Sequence, residues 1–96
     1  MQFEWGERKD TLNHAKHGVS FEEAIEISDW PCFTRKDDRA YGEIRDVILG
    51  IVGTLVVLTV VHTDRGGTTR LISARLANKK ERRLYYDYLR RAIGRT

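Results

Sequence analysis

The stretch LVVLTVVHTDRGGTTRLISARL, residues 55–76, decides the fold of this 96-residue chain. Segments rich in β-branched residues flank Gly66 and Gly67, and successive glycines tolerate the positive φ angles that tight hairpin turns require. The pattern predicts an antiparallel hairpin with strands from Leu55 to Asp64 and from Thr68 to Leu76. Residues 44–51, IRDVILGI, have the same character and predict a third strand, antiparallel to the first of these two.

The hairpin also predicts which side chains share a face of the sheet. A two-residue turn at the glycines pairs Arg65 with Thr68, Thr63 with Arg70 and His62 with Leu71, and a regular ladder continues to Val60 with Ser73 and Leu58 with Arg75. Because side chains alternate between faces along a strand, His62, Ser73 and Arg75 are expected on one face. Arg65 and Arg70 are expected on the other.

Two helices are predicted on the amino-terminal side of these strands. Residues Glu7 to His17 are helix formers that end at Gly18, a natural helix stop. Ser20 and Glu23 then have the spacing of a capping box, in which each side chain bonds the backbone N–H of the other residue. A second helix is therefore expected from Phe21 to about Ser28.

A third helix is predicted at the carboxyl end. Asn78 can cap it, because Glu81 follows three positions later and completes another capping box. Apolar and tyrosine side chains then recur on one stripe, at Leu84, Tyr85, Tyr88, Leu89, Ala92 and Ile93. This spacing predicts an amphipathic helix over about Lys79 to Ile93.

The order of these elements indicates the fold class. A short strand is predicted around Phe3 and Trp5, and another at Cys32 to Thr34 within the polar segment 32–42. We expect one α+β domain over residues 1–96. Its small antiparallel sheet has three to four strands, packed by two N-terminal helices and one C-terminal amphipathic helix.

Composition excludes several classes of protein. The single cysteine, Cys32, cannot form an internal disulfide, which favours a cytoplasmic protein. The longest uncharged stretch, Val47 to Val61, has 15 residues, and a membrane helix needs roughly 17 to 25. We therefore expect buried strands there and no membrane association.

The charge distribution is uneven. Residues 1–78 contain 10 Lys and Arg against 12 Asp and Glu, whereas residues 79–96 contain 7 against 2. The basic excess therefore lies at the carboxyl end of the chain. It fits a polyanion such as RNA or an acidic partner, and it equally fits a solvated helix face.

The chemistry-bearing residues suggest proton transfer without a cofactor. There is no P-loop, GxGxxG, HExxH, GxSxG or Cys/His zinc motif, so we expect no cofactor and no metal. The chain does contain His14, His17 and His62 among many arginines and four tyrosines. RNA cleavage without metal needs a base for the 2′-hydroxyl, cations around the phosphate and an acid for the departing 5′-oxygen, and these residue types supply all three.

Each candidate also has a structural interpretation. His62 can be a packed residue, and His17 can be a cation placed at a helix end. Arg75 lies among apolar residues of a predicted strand, so its guanidinium must either pair or line a groove. Tyr85 lies on the apolar stripe, where core packing is the usual role.

An ordered set of motifs closely resembles the BrnT family of type II toxin proteins over nearly the whole chain. The first block is Lys16-His17-Gly18-Val19-Ser20-Phe21-Glu22-Glu23-Ala24. Further matches are Phe3, Trp5, Lys9 and Asn13, then Gly42-Glu43 with Arg45, Ile48 and Gly50, the run Val60 to Arg65, the run Arg70 to Arg75 with Ala77, and Glu81-Arg82 with Tyr85.

The resemblance implies a compact ribonuclease of the RelE-like superfold that cleaves RNA without metal. Such a toxin arrests growth and is neutralised by a ribbon-helix-helix antitoxin called BrnA, and the complex represses its own operon. The toxin is expected as a homodimer or in a 2:2 heterotetramer with the antitoxin. The catalytic candidates are Lys16, His17, Arg45, His62, Arg65, Ser73, Arg75 and Tyr85, and the RNA-binding candidates are Lys79, Lys80, Arg82 and Arg83.

We expect the catalytic groups to gather from separate segments in one cleft beside the sheet. Two alternatives stay open at this point. One is a nucleic-acid-binding module without catalysis, which acts through the basic helix. The other is an interaction domain whose surface a partner chain completes.

Overall fold

A computed structural model describes residues 2–37, 45–53 and 55–94. The elements follow in the order β1 (Gln2–Glu4), α1 (Glu7–His17), α2 (Phe21–Ala24), β2 (Phe33–Asp37), β3 (Arg45–Ile51), β4 (Val57–Arg65), β5 (Thr68–Leu76) and α3 (Lys79–Ile93). The α+β class is confirmed. The part of the predicted polar segment at residues 38–42 lies outside the described residues.

The strands form a single mixed sheet with the order β1-β5-β4-β3-β2. Strands β2 to β5 are antiparallel to their neighbours, but β1 pairs with β5 in parallel. The predicted antiparallel sheet of three to four strands is confirmed for β2 to β5, but the prediction missed the fifth strand and its parallel pairing. The local pattern could not show the parallel pair, because it joins the first strand of the chain to the last.

The β4–β5 hairpin turns at Gly66 and Gly67, whose φ angles are 55° and 88°. The predicted pairs hold as far as His62 with Leu71, but the register then shifts, so that Val61 pairs with Ser73. The extra residue on β5 is Ile72, which forms a β-bulge.

The bulge changes which side chains of β4 and β5 share a face of the sheet. Thr59 pairs with Arg75, and Val61 pairs with Ser73, so Ser73 and Arg75 lie on one face of the sheet. His62 pairs with Leu71 and points to the opposite face. The prediction that His62 shares a face with Ser73 and Arg75 is wrong, because a regular ladder has no inserted residue.

The predicted helix stop and both predicted capping boxes are present. Helix α1 ends at Gly18, whose φ is 73°, and the capping boxes of Ser20 with Glu23 and of Asn78 with Glu81 are both formed. The second helix differs from its prediction, because α-helical geometry ends at Ala24 and a 3₁₀ helix follows over Ile25–Asp29. That tighter turn buries Ile27, which is 1% exposed. None of the helices in the described part of the chain is long and apolar enough to cross a membrane.

Two apolar cores lie on opposite faces of the sheet. Neighbouring residues of β3 and β4 alternate between them, as Ile48 and Leu49 do. The first core also contains Phe21, Ala24 and Ile27 of the second helical segment. The second is covered by α3, whose Tyr85 is fully buried. The helices are thus divided between the two faces.

Candidate active site

Helix α1 is fixed to the edge of β5 by one buried side chain, Asn13. Its Nδ2 donates to the carbonyls of Val19 and Ala74 at 2.9 and 2.8 Å, and its Oδ1 accepts from the Ala74 N–H at 3.1 Å. Strand β1 pairs with β5 only as far as Arg70. Asn13 therefore supplies Ala74 with the two hydrogen bonds that a longer β1 would have made.

A shallow open cavity of about 200 Å³ lies between α1 and β5. Its walls are Lys9, Leu12, Asn13, Lys16 and His17 from the helix, and Ile72 and Ser73 from the strand. The bulge residue Ile72 and its neighbour Ser73 thus lie at the strand edge next to α1. Three predicted catalytic residues, Lys16, His17 and Ser73, meet in this cavity.

The side chains around the cavity belong to types that bind anions and transfer protons. Lys9 and Lys16 are exposed and His17 is half-buried, so two ammonium groups and one imidazole lie at one opening. Lys16 and His17 occupy the last turn of α1, where the helix dipole favours positive charge. Ser73 lines the opposite wall, so the cavity combines residue types that supply cations, a proton-transfer group and a neutral hydrogen-bond donor.

Arg75 does not line the cavity, although it shares with Ser73 the face of the sheet that α3 covers. Its guanidinium makes a bidentate pair with Glu81, with distances of 2.8 and 2.9 Å. Burial raises the pKa of Glu81, but hydrogen bonds from Arg75 and from the Asn78 backbone outweigh this effect and lower it to about 2. The pair joins β5 to the capped start of α3, which satisfies the expectation that this arginine must pair or line a groove.

Tyr85 is placed in the second core. Its side chain is 0% exposed, and its hydroxyl donates to the Pro31 carbonyl at 2.9 Å. Burial raises the pKa of Tyr85, so the phenol is a weaker acid than a solvated one. In this arrangement the hydroxyl cannot reach an RNA strand at the surface.

The other three catalytic candidates also lie outside the cavity. His62 is buried on the opposite face of the sheet from Ser73. Arg45 begins β3 and is half-buried, and Arg65 is exposed at the end of β4. The expectation of one cleft that holds all eight residues is therefore not met, because the groups divide between two faces and one edge of the sheet.

The four RNA-binding candidates lie together at the start of α3. Lys79, Lys80, Arg82 and Arg83 are all exposed. Arg82 also donates to the Ala77 carbonyl at 2.8 Å, which gives this side chain a structural contact. Cations in the first turn of a helix oppose the helix dipole, so helix stability does not account for the cluster.

The sequence interpretation missed part of the cavity wall. Lys9, Asn13 and Ile72 appear only among the family matches, and Leu12 belongs to none of the predicted sites. A signal did exist on α1, since Lys9, Asn13, Lys16 and His17 follow the spacing of one helix face. Without the position of β5, however, nothing indicated that this face meets a strand edge.

Comparison with known proteins identifies the chain. A family model described as "Ribonuclease toxin, BrnT, of type II toxin-antitoxin system" matches residues 5–81. The chain belongs to the BrnT family. Most of the matched region is the fold from α1 to β5, including both walls of the cavity. The BrnT assignment covers only the first turn of α3.

A solved structure of another BrnT agrees with this assignment. The chain is similar to the crystal structure of the Brucella abortus ribonuclease toxin, BrnT, with 26% sequence identity and a TM-score of 0.62. The match covers 82% of this chain and 99% of that chain. A search of curated proteins found no match. Membership of this family of ribonuclease toxins implies an RNA substrate and an antitoxin partner.

Proposed function

We propose that this chain is a metal-independent endoribonuclease toxin whose reaction takes place in the cavity between α1 and β5. The observation that carries the proposal is that Lys16, His17 and Ser73, from two distant segments, line one opening together with Lys9. These groups supply positive charge and a titratable imidazole where a phosphodiester can enter.

The proposed reaction is attack by the ribose on its own phosphodiester. The 2′-oxygen forms a bond to phosphorus while His17 removes the 2′-hydroxyl proton, and the bond from phosphorus to the 5′-oxygen breaks. Protonated Lys16 gives a proton to the departing 5′-oxygen. The products are a 2′,3′-cyclic phosphate and a free 5′-hydroxyl.

The remaining cavity groups stabilise the charge that develops on the phosphate. Lys9 lies near the same opening as a second cation, and the Ser73 hydroxyl donates to a non-bridging oxygen. Lys79, Lys80, Arg82 and Arg83 are proposed to bind the flanking RNA backbone, because all four are exposed. His62, Arg75 and Tyr85 are left out of the reacting centre, since the structure buries or pairs them.

The proposed antitoxin partner is a BrnA-like ribbon-helix-helix protein, in a 2:2 complex with the toxin. Support for a protein partner comes from large apolar side chains that this chain leaves in solvent. Leu55, Ile93, Leu76 and Trp30 are 71, 58, 55 and 49% exposed. An antitoxin that covers some of them would stabilise the complex through apolar burial.

The nuclease proposal is tested with His17→Gln and a matched control, His14→Gln, on an RNA oligonucleotide. Both histidines lie on α1, but His14 is exposed and lines no part of the cavity. We expect His17→Gln to lower the single-turnover cleavage rate by about 100-fold or more, whereas His14→Gln cleaves like the parent chain.

Two further arms test the chemistry. A deoxyribose at the cut site removes the attacking hydroxyl and should abolish cleavage, while a chelator should leave cleavage intact at a temperature far below unfolding. Unchanged cleavage by His17→Gln would remove the proposed base. RNA that stays intact with the parent chain would instead favour a binding module without catalysis.

A further inference from the structure

A second cluster of chemically active side chains lies at the ends of β3 and β4. Asp46 pairs with His62 across the two strands, and Asp64 follows His62 on the same face. One ligand atom from each of the three side chains lies within 4.8 Å of the others. None of the three residues lines the α1–β5 cavity.

His62 is the unusual member of this cluster. The residue is only 4% exposed, and neither ring nitrogen has a hydrogen-bond partner among the described residues. A neutral imidazole has one donor and one acceptor, and buried groups of this kind are nearly always satisfied. Its Nδ1 lies 3.3 Å from Asp64 Oδ1, yet without the geometry of a hydrogen bond.

The distance between His62 and Asp64 suits a cation bound by both side chains. Zinc bonds to histidine nitrogen and carboxylate oxygen of about 2.0–2.1 Å place neighbouring ligand atoms of a tetrahedron about 3.3–3.4 Å apart. The Nδ1 to Oδ1 separation of 3.3 Å equals such an edge. We propose that Asp46, His62 and Asp64 form a binding site for a divalent transition-metal ion, with one position left to water.

The existing contacts of the two carboxylates allow this. Lys36 Nζ lies 3.2 Å from Asp46 Oδ1, but the lysine side chain is 75% exposed and can return to water when a divalent ion arrives. Asp64 accepts a hydrogen bond from the Thr69 hydroxyl at 3.3 Å, which helps to hold this exposed carboxylate beside His62. An imidazole ligand favours a transition metal over Mg²⁺ or Ca²⁺.

The site is independent of the proposed nuclease centre. Its ligands come from β3 and β4, whereas the cavity is built from α1 and β5. A bound ion would join the start of β3 to the end of β4 and give His62 the partner that it lacks. Metal binding should therefore raise the melting temperature without being required for RNA cleavage.

The test is a Zn²⁺ titration of metal-free protein by calorimetry, in a His14→Gln background that removes one exposed histidine of α1. We expect one ion per chain and a higher melting temperature. Asp64→Asn keeps an oxygen for Thr69 but removes the charged ligand, and should weaken Zn²⁺ binding by at least about tenfold. Asp29→Asn, an exposed carboxylate outside the cluster, should bind like the parent.

A second readout does not depend on the Asp64→Asn variant being folded. The ¹⁵N resonances of the His62 ring should shift when one equivalent of Zn²⁺ is added to the His14→Gln protein. Binding that survives Asp64→Asn within tenfold, a His62 ring that does not respond, or the lack of stoichiometric binding would each overturn the site. Cleavage of RNA plays no part in these measurements, so the nuclease proposal stands or falls separately.

Discussion

At the scale of single residues, Asn13 is the side chain that builds the cavity. Asn13→Ala leaves the Val19 carbonyl and both backbone groups of Ala74 without partners at a buried position. We expect the free energy of unfolding to fall by about 2–4 kcal/mol in urea denaturation, because unsatisfied buried polar groups cost about 1–3 kcal/mol each and some gain access to water.

The matched control for this prediction is Thr11→Ala on the same helix. The Thr11 hydroxyl donates to the Glu7 carbonyl at 3.1 Å, but this contact is exposed. Stability should change little there, since water replaces the hydrogen bond and alanine is the better helix former. Equal losses for the two variants would contradict the role given to Asn13.

The pair of Arg75 and Glu81 makes stability depend on pH. The pKa of Glu81 is lowered to about 2 in the folded chain, against an ordinary value of 4.5. Its contribution is therefore fully present above pH 4.5 and is lost as the pH falls towards 2. We expect Glu81→Gln to destabilise the protein by about 2 kcal/mol at pH 7.

The measurement is the difference in unfolding free energy between parent and Glu81→Gln at several pH values. The difference should shrink between pH 4.5 and 2. A difference that stays constant over this range would show that the carboxylate charge is not what stabilises the start of α3. The control is Asp87→Asn, which removes the carboxylate of a surface ion pair with Arg90 on the same helix.

At the scale of elements, the sequence predicted the helix ends and caps that depend on residues close together in the chain. The end of α1, the start of α3 and both capping boxes follow from Gly18, Ser20 and Asn78, whose interactions are with near neighbours in sequence. The bulge at Ile72 has no such local cause, so the face of every β5 residue beyond it was mispredicted. The partner of Arg75 was missed for the same reason, since it depends on how α3 docks.

The contact between the 3₁₀ helix and β3 yields a prediction for Gly50. A Cβ at this position would lie 2.7 Å from Ile27 Cβ and 3.1 Å from its Cγ2. Gly50→Ala should therefore destabilise the chain by about 1–3 kcal/mol, because a buried branched side chain must move. Thermal unfolding followed by circular dichroism measures the loss.

Gly53→Ala is the matched substitution in the same part of the chain. There the new Cβ would meet only the end of the flexible Glu26 side chain, with Oε1 at 2.8 Å. The destabilisation should be smaller than at Gly50. The reverse order would mean that Ile27 can shift more easily than its burial indicates.

At the scale of the whole molecule, the excess of Lys and Arg in residues 79–96 predicts how RNA binding responds to salt. We expect the double variant Lys79→Ala/Lys80→Ala to bind RNA with a weaker salt dependence. The slope of the logarithm of the binding constant against the logarithm of the salt concentration should become less negative by about 1.4, since each phosphate contact of a single strand contributes about 0.7. A deoxy-substituted RNA that cannot be cleaved allows the measurement. Substitution of both lysines by arginine should keep the slope, and an unchanged slope for the alanine pair would remove these residues from the RNA interface.

The position of the cavity has a consequence for the chain during synthesis. One wall is α1 (Glu7–His17), and the other is β5 (Thr68–Leu76), which is synthesised much later. Until then Lys16 and His17 have no Ser73 opposite them, and Asn13 has no strand to hold. The proposed reaction centre therefore cannot form in a nascent chain that lacks β5.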